Sequence, residues 1–170
     1  MSVNELSELN SSGRLKNGHD GKLKFIFSFL IIFVIDQAIK VLFLNGFEWN
    51  NRCISLTLAI NKGVAFSMFS FLGNYLKYIQ LILIVLLGFY FIKEKIINKH
   101  PILSGILFGA ALSNLSDRFI RGGVVDYVYW HCGFNFAIFN FADTMIDLSI
   151  ILFAYFYFFK KNDKISSEVA

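Results

Sequence analysis

Four apolar stretches, residues 25–44, 75–92, 102–119 and 141–159, constrain this chain more than any other feature. A bilayer's hydrocarbon core is about 30 Å thick, and roughly 20 helical residues cross it. Each stretch falls within the usual spread of about 17 to 25 residues or close to it. With 170 residues in all, little chain remains for anything else. The composition agrees, since 56% of residues are hydrophobic, 18% are aromatic, and the charges crowd into short segments between the apolar runs. The fold class expected is therefore an all-α membrane protein of four transmembrane helices.

The first run follows basic residues, as a secretory signal would. It is longer than a signal h-region, and no small-residue cleavage site closes it, so it reads as a retained span. Residues 1–24 are polar and rich in Ser, Asn and Gly, which predicts a disordered cytoplasmic tail. Residues 25–160 would form the membrane domain and 161–170 a second cytoplasmic tail. Arg14, Lys16, Lys22 and Lys24 precede the first run, Lys93, Lys95 and Lys99 join the second to the third, and Lys160, Lys161 and Lys164 follow the fourth. By the positive-inside bias both termini are cytoplasmic. The net charge of +4 fits contact with anionic headgroups better than nucleic-acid binding.

The two outward connections carry β signals. Within residues 45–74, Cys53-Ile54-Ser55-Leu56-Thr57-Leu58 alternates with strand periodicity, and Val64-Ala65-Phe66 and Met68-Phe69 follow it. Residues 120–140 hold Gly122-Gly123 and the β-rich Val124 to Trp130. A small extracytoplasmic sheet with a loop beside it is expected. Cys53 and Cys132 both lie in these connections, where a disulfide or two free thiols are equally compatible with the sequence.

Polar residues beside so much hydrocarbon are costly and mark function by default. Asp126 and Asp143 stand out as a possible pair. With helix 3 running outward and helix 4 inward, Asn114, Asp117 and Arg118 meet Asn140 and Asp143 at the outer interface. Asp36 and Lys40 share one face of helix 1 at i,i+4 spacing, either as a neutralising structural pair or in support of a site. Asn140 suits a helix N-cap, and Asp117 with Arg118 reads equally as a snorkelling pair at a helix end. Asp147 reads as a hydrogen-bonding group within the bundle. Gly105 and Gly109 form a small-xxx-small helix-packing face. His19, His100 and His131 are scattered without ligand spacing, so no metal site is expected.

Five segments together resemble the bacterial lipoprotein signal peptidases, the signal peptidase II family of aspartyl peptidases. They are Asp36-Gln37-Ala38-Ile39-Lys40, Asn61-Lys62-Gly63-Val64-Ala65-Phe66-Ser67, Ala110 through Arg118, Val124-Val125-Asp126-Tyr127, and Phe139-Asn140-Phe141-Ala142-Asp143. Val64 and Ser113 depart from the family's usual alanine and glycine. The resemblance implies an endopeptidase of the bacterial cytoplasmic (inner) membrane, with its active site at the outer interface, that cuts diacylglyceryl-modified prolipoproteins before the lipidated cysteine. It implies Asp126 and Asp143 as catalytic residues, and Asn61, Gly63, Asn114, Arg118 and Asn140 as substrate-binding or dyad-supporting residues. Asp36 and Lys40 would give structural support. Its partners would be the prolipoprotein and membrane lipid, with no nucleic acid and no cofactor, and a monomer is expected. The alternative class is a proton-coupled membrane transporter, although these acids cluster at one interface instead of stepping through the bilayer as a relay.

Overall fold

The computed structural model describes residues 3–63, 68 and 70–168. Helix α1 (Val3–Leu44) leads into β1 (Trp49–Asn50) and β2 (Ile54–Asn61). A short 3-10 turn (Ser70–Leu72) precedes helix α2 (Tyr75–Lys93), and one turn of helix, α3 (Ile96–Lys99), leads into α4 (Pro101–Ile120). Strand β3 (Val124–Trp130) and helix α5 (Phe141–Glu168) complete the chain.

The backbone of α1 is already helical from Val3, through the segment whose composition predicts a disordered tail. Leucines, glutamates, Arg14 and Lys16 there favour helix, and a helix once nucleated by the span propagates at low cost. Helix α5 likewise continues to Glu168, past the end expected for the span.

Among the described residues, three helical segments, Asp20–Leu44, Tyr75–Lys93 and Phe141–Phe159, are long and apolar enough to cross a membrane. Helix α4 has the length, 20 residues, but a different surface. It is the most enclosed helix, and it buries Ser104, Ser113, Asn114, Asp117 and Arg118 along with its apolar residues. Its neighbours supply the surface that faces outward. Phe27, Val34, Ile82, Leu86, Ile151 and Tyr157 on α1, α2 and α5 are all exposed, as surfaces bathed in hydrocarbon are.

Close approach of α1 to α4 depends on two glycines. A Cβ on Gly109 would lie 2.5 Å from the carbonyl oxygen of Phe29, and one on Gly105 2.4 Å from that of Phe25. The small-xxx-small face is thus a seam where backbone meets backbone. Below it, Phe91 and Phe108 pack edge to face, with Leu107 completing the cluster.

The sheet is antiparallel in the order β1-β2-β3. Strand β2 runs three residues beyond the alternating stretch, and β3 supplies the second expected strand. The register shifts between Leu56 and Ala59, so Ile54 to Leu56 face Trp130 to Val128 while Ala59 faces Asp126 and Asn61 faces Val124. This irregularity sets which residues of β2 stand beside Asp126. Cys53 and Cys132 are joined by a disulfide at the far end of the same strand pair.

Candidate active site

Asp126 and Asp143 are brought together by a short return of the chain. After β3, Phe139 bridges to Val128, with its amide donating to the Val128 carbonyl at 3.0 Å and its carbonyl accepting from Val128 at 2.8 Å. That bridge sets Asn140 beside Asp126, and helix α5 begins at the next residue. Asn140 caps it: its Oδ1 accepts from the Asp143 amide at 2.9 Å, while Asp143 Oδ2 accepts from the Asn140 amide at 3.1 Å. The pairing is a reciprocal capping box, and an acid in the first turn also suits the helix dipole. Asp143 is therefore fixed by the event that starts the helix.

Each of the four carboxylate oxygens receives a protein donor. Asp126 Oδ1 accepts from Asn140 Nδ2 at 2.7 Å, and Oδ2 from Asn61 Nδ2 at 2.9 Å. Asp143 Oδ1 accepts from Asn114 Nδ2 at 2.8 Å, and Oδ2 from the Asn140 amide already described. Asn140 thus binds both acids, one through its side chain and one through its backbone. Asn61 reaches Asp126 because the two are diagonal neighbours on one face of the β2-β3 pair.

Asp126 is 2% exposed. Burial, and then the negative charge of Asp143, push its carboxyl up to about 7, against the opposing effects of the Asn61 and Asn140 hydrogen bonds and the Lys40 charge. Two acids in such a setting hold one proton between them more readily than none.

Arg118 and Gly63 meet, as the Arg118 Nη2 donates to the Gly63 carbonyl at 2.5 Å. Gly63 also donates its amide to Asn61 Oδ1 at 2.9 Å. The remaining part of that motif, Val64 to Ser67, lies outside the described residues, as does Phe69. Arg118 is buried and its Nε has no hydrogen-bond partner among the described residues, so a donor remains for another acceptor.

Asp36 and Lys40 are fully buried and more engaged than a simple pair. Lys40 Nζ contacts Asp36 Oδ2 at 2.6 Å, Asp117 Oδ2 at 2.7 Å and Asn114 Oδ1 at 2.7 Å, so its three donors have three partners. Asp36 Oδ2 also accepts from Ser113 Oγ at 2.6 Å, and Oδ1 from the Ala142 amide at 2.9 Å, which ties α1 to the start of α5. Serine at 113, where the family usually has glycine, thus gives Asp36 Oδ2 a second donor beside Lys40.

The snorkelling reading of Asp117 with Arg118 does not hold. Asp117 is fully buried and pairs with Lys40 and with Arg121, one turn on at the C-cap of α4. The reason is geometric: i,i+4 residues on a helix lie side by side, while adjacent residues point apart. Gln37 closes the network, donating to Asp117 Oδ1 at 3.0 Å and accepting from Arg121 Nη1 at 3.0 Å. Nothing local in the sequence assigns Gln37 this role, whereas the i,i+4 spacing of Asp117 and Arg121 signals that pair. Tyr127 adds a further support: its hydroxyl accepts the Phe141 amide at 3.0 Å and its ring stacks on Phe43. Asp147 lies on an exposed part of α5, outside this cluster.

On the other side of Asn140 lies an open apolar cavity of about 410 Å³, lined by Leu42, Phe43, Leu56, Val128, Phe139 and Thr144 among others. A polar pair of acids therefore adjoins a space suited to a hydrocarbon group. Among the described residues, no cluster of three or more His, Cys, Asp or Glu side chains is grouped to hold a metal ion.

A family model for signal peptidase (SPase) II matches residues 28–159. The chain belongs to the signal peptidase II family. Signal peptidase II relatives include the lipoprotein signal peptidase of Wolinella succinogenes, 56% identical over 134 residues that cover 78% of this chain and 92% of the relative. The lipoprotein signal peptidase of Helicobacter pylori strain HPAG1 is 47% identical over 156 residues, 90% of this chain and 99% of its own length. Among solved structures, a bacterial membrane enzyme determined in meso at 2.3 Å resolution shares the fold, with a TM-score of 0.70 and 24% identity over 82% of this chain and 90% of its own. The matched range contains Asp126 and Asp143, and the Asn61, Asn114 and Asn140 side chains that hold them.

Proposed function

We propose that this signal peptidase II is an aspartic endopeptidase that removes the signal peptide from diacylglyceryl-modified prolipoproteins by cutting before the lipidated cysteine. The observation that carries this reading is the bridging of Asp126 and Asp143 by Asn140, within a chain matched to the family over residues 28–159. In this mechanism the ionised aspartate takes a proton from water as its oxygen adds to the scissile carbonyl. The protonated partner gives its proton to the carbonyl oxygen, producing a gem-diol. Collapse breaks the C–N bond, and the amine of the lipidated cysteine leaves with a proton returned through the pair. The charges in the cluster favour one retained proton, because among the described residues the four acids Asp36, Asp117, Asp126 and Asp143 face the three cations Lys40, Arg118 and Arg121.

The remaining contacts suit the same chemistry. Arg118, whose Nη2 holds the Gly63 carbonyl and whose Nε has no partner among the described residues, is placed to take a substrate carbonyl. The cavity beside Asn140 accepts an apolar part of the substrate without drawing it from hydrocarbon. No contact supports the transporter reading, which needs acids spread through the depth of the bilayer. Purified protein in detergent should cleave a diacylated lipobox peptide before its cysteine and leave the unlipidated peptide intact. Equal cleavage of both would show that the lipid is not recognised.

Two further expectations follow. Since Asp126 is pushed up to about 7, the dyad loses its shared proton as pH rises through that value, and kcat/KM should fall on that side. A profile that climbs steadily above neutrality would contradict the shared proton. We further take α4 as a fourth span, shielded by the other helices, with both termini cytoplasmic, the dyad at the outer interface and the active protein monomeric. Reporter fusions after Asn50 and Cys132 should then be active only outside the cytoplasm, and fusions after Glu94 and Lys160 only inside. An outward Glu94 junction would overturn the placement.

A further inference from the structure

Three asparagines present their amide NH2 groups to the two acids, and an asparagine amide is nearly symmetric in shape. Turned over, it would set a carbonyl oxygen against a carboxylate, exchanging attraction for repulsion. Something must therefore hold each amide the right way round. For Asn61 it is the Gly63 amide on Oδ1 at 2.9 Å, and for Asn140 it is the Asp143 amide on Oδ1 at 2.9 Å. Both are backbone donors fixed by the fold.

Asn114 differs. Its Oδ1 accepts from Lys40 Nζ at 2.7 Å and from Asn140 Nδ2 at 3.1 Å. The second is the longer contact, and Asn140 Nδ2 is also engaged with Asp126 at 2.7 Å. An ammonium has donors only, so the group facing Lys40 has to be the Asn114 oxygen. Asp36 and Asp117 hold Lys40 in place, and Ser113, Gln37 and Arg121 hold those acids in turn. The network also reaches the backbone beside each acid, through the Ala142 amide on Asp36 Oδ1 at 2.9 Å and the Val125 amide on Asp117 Oδ2 at 3.2 Å, while Lys40 itself reaches Asp143 through the Asn114 side chain.

We propose that Lys40 is a positioning residue, which locks the Asn114 amide so that it donates to Asp143 and thereby sets the pH at which the dyad gives up its shared proton. This rests on the reading of Asp126 and Asp143 as the catalytic pair. It goes beyond structural support, because a neutralising ion pair would stabilise the bundle without acting on the dyad through Asn114. The charged groups facing this link are Asp36 from α1, Asp117, Arg118 and Arg121 from α4, Asp126 from β3 and Asp143 from α5. A test must therefore separate charge from amide orientation.

The double substitution Asp36→Asn with Lys40→Met removes one charge of each sign, and the asparagine keeps an acceptor for the Ala142 amide. In the full-length protein in detergent, with a diacylated lipobox peptide, this variant should lose on the order of 100-fold in kcat, as misplacement of a catalytic group does, with KM little changed. Its alkaline limb should move to higher pH, because an Asn114 amide free to turn places its oxygen against Asp143 and favours the protonated pair. In an Asn114→Ala background the same substitution should add little further loss and no further shift. Thermal unfolding identifies variants that fold, and Asp36→Asn with Lys40→Leu, which is equally neutral in net charge, serves if the first pair does not.

Losses that multiply in the Asn114→Ala background, or an unmoved alkaline limb, would overturn the role of Lys40. Asp126→Asn is the control that separates the two ideas. If it is inactive while the losses multiply, only the Lys40 inference fails; if it is fully active, the dyad reading fails and the inference with it.

Discussion

Asp126→Asn and Asp143→Asn should each reduce cleavage by on the order of 10⁴-fold, and the double variant should be scarcely worse than either alone. The reason is that the two acids act in one step. Remove Asp126 and Asp143 has no partner with which to divide water activation from carbonyl protonation; remove Asp143 and the same holds in reverse. Residues that work as a unit show losses that overlap instead of multiplying. Asparagine preserves shape and part of the hydrogen bonding, so both variants should still fold. Cleavage of a diacylated peptide, measured at matched protein levels for all four forms, checks this. Substantial activity in one single variant would make that aspartate structural.

The second large effect concerns stability. Gly109→Ala would place a methyl carbon 2.5 Å from a backbone oxygen of Phe29 and 3.1 Å from its Cα, neither of which can swing aside. The helices α1 and α4 must then separate, at a cost of about 1–3 kcal/mol or more, typical of overpacking. The same separation would stretch Lys40 away from Asn114, since the former is on α1 and the latter on α4. Both melting temperature in detergent and turnover should fall. Gly88→Ala is the matched comparison, because its added carbon would meet only the Phe108 ring, at 3.7 Å, an ordinary contact. Equal stability of the two variants would show that α1 and α4 do not pack through Gly109.

Much of this arrangement is legible in the sequence because membranes leave few choices. Apolar length marks the helices, and a carboxylate next to hydrocarbon stands out as an expense that needs a reason. Asn140 with Asp143 is legible twice over, as a cap with its acid three residues on and as a candidate site. Asn61 and Gly63 are found by resemblance, and Asn114 and Arg118 also by their place near the outer end of the third apolar stretch; the structure sets each beside one of the two acids or a neighbour of them.

What escapes the sequence is pairing between elements. Lys40 is recognisable beside Asp36 because helical spacing is local, but its contacts with Asp117 and Asn114 depend on how closely α1 and α4 approach. Gln37 belongs to that network for the same reason. The register shift in β2 that puts Asn61 beside Asp126 is set by the pairing of both strands, and the Cys53–Cys132 disulfide by where their ends meet. Helix α4 coincides with the apolar stretch 102–119, but its polar residues serve the interior and lower the apolarity by which a membrane helix is recognised.

The central claim is that Asp126 and Asp143 hold one proton between them, and carboxyl carbon resonances report this directly. Protein labelled at its aspartate carboxyl carbons, with the two signals assigned through Asp126→Asn and Asp143→Asn, can be titrated in detergent. The account predicts that the Asp126 signal moves with a midpoint at about 7, and that replacing Asp143 by asparagine shifts this midpoint down as the neighbouring negative charge is removed. An Asp126 that is already ionised well into the acid range, and that ignores the loss of Asp143, would contradict it.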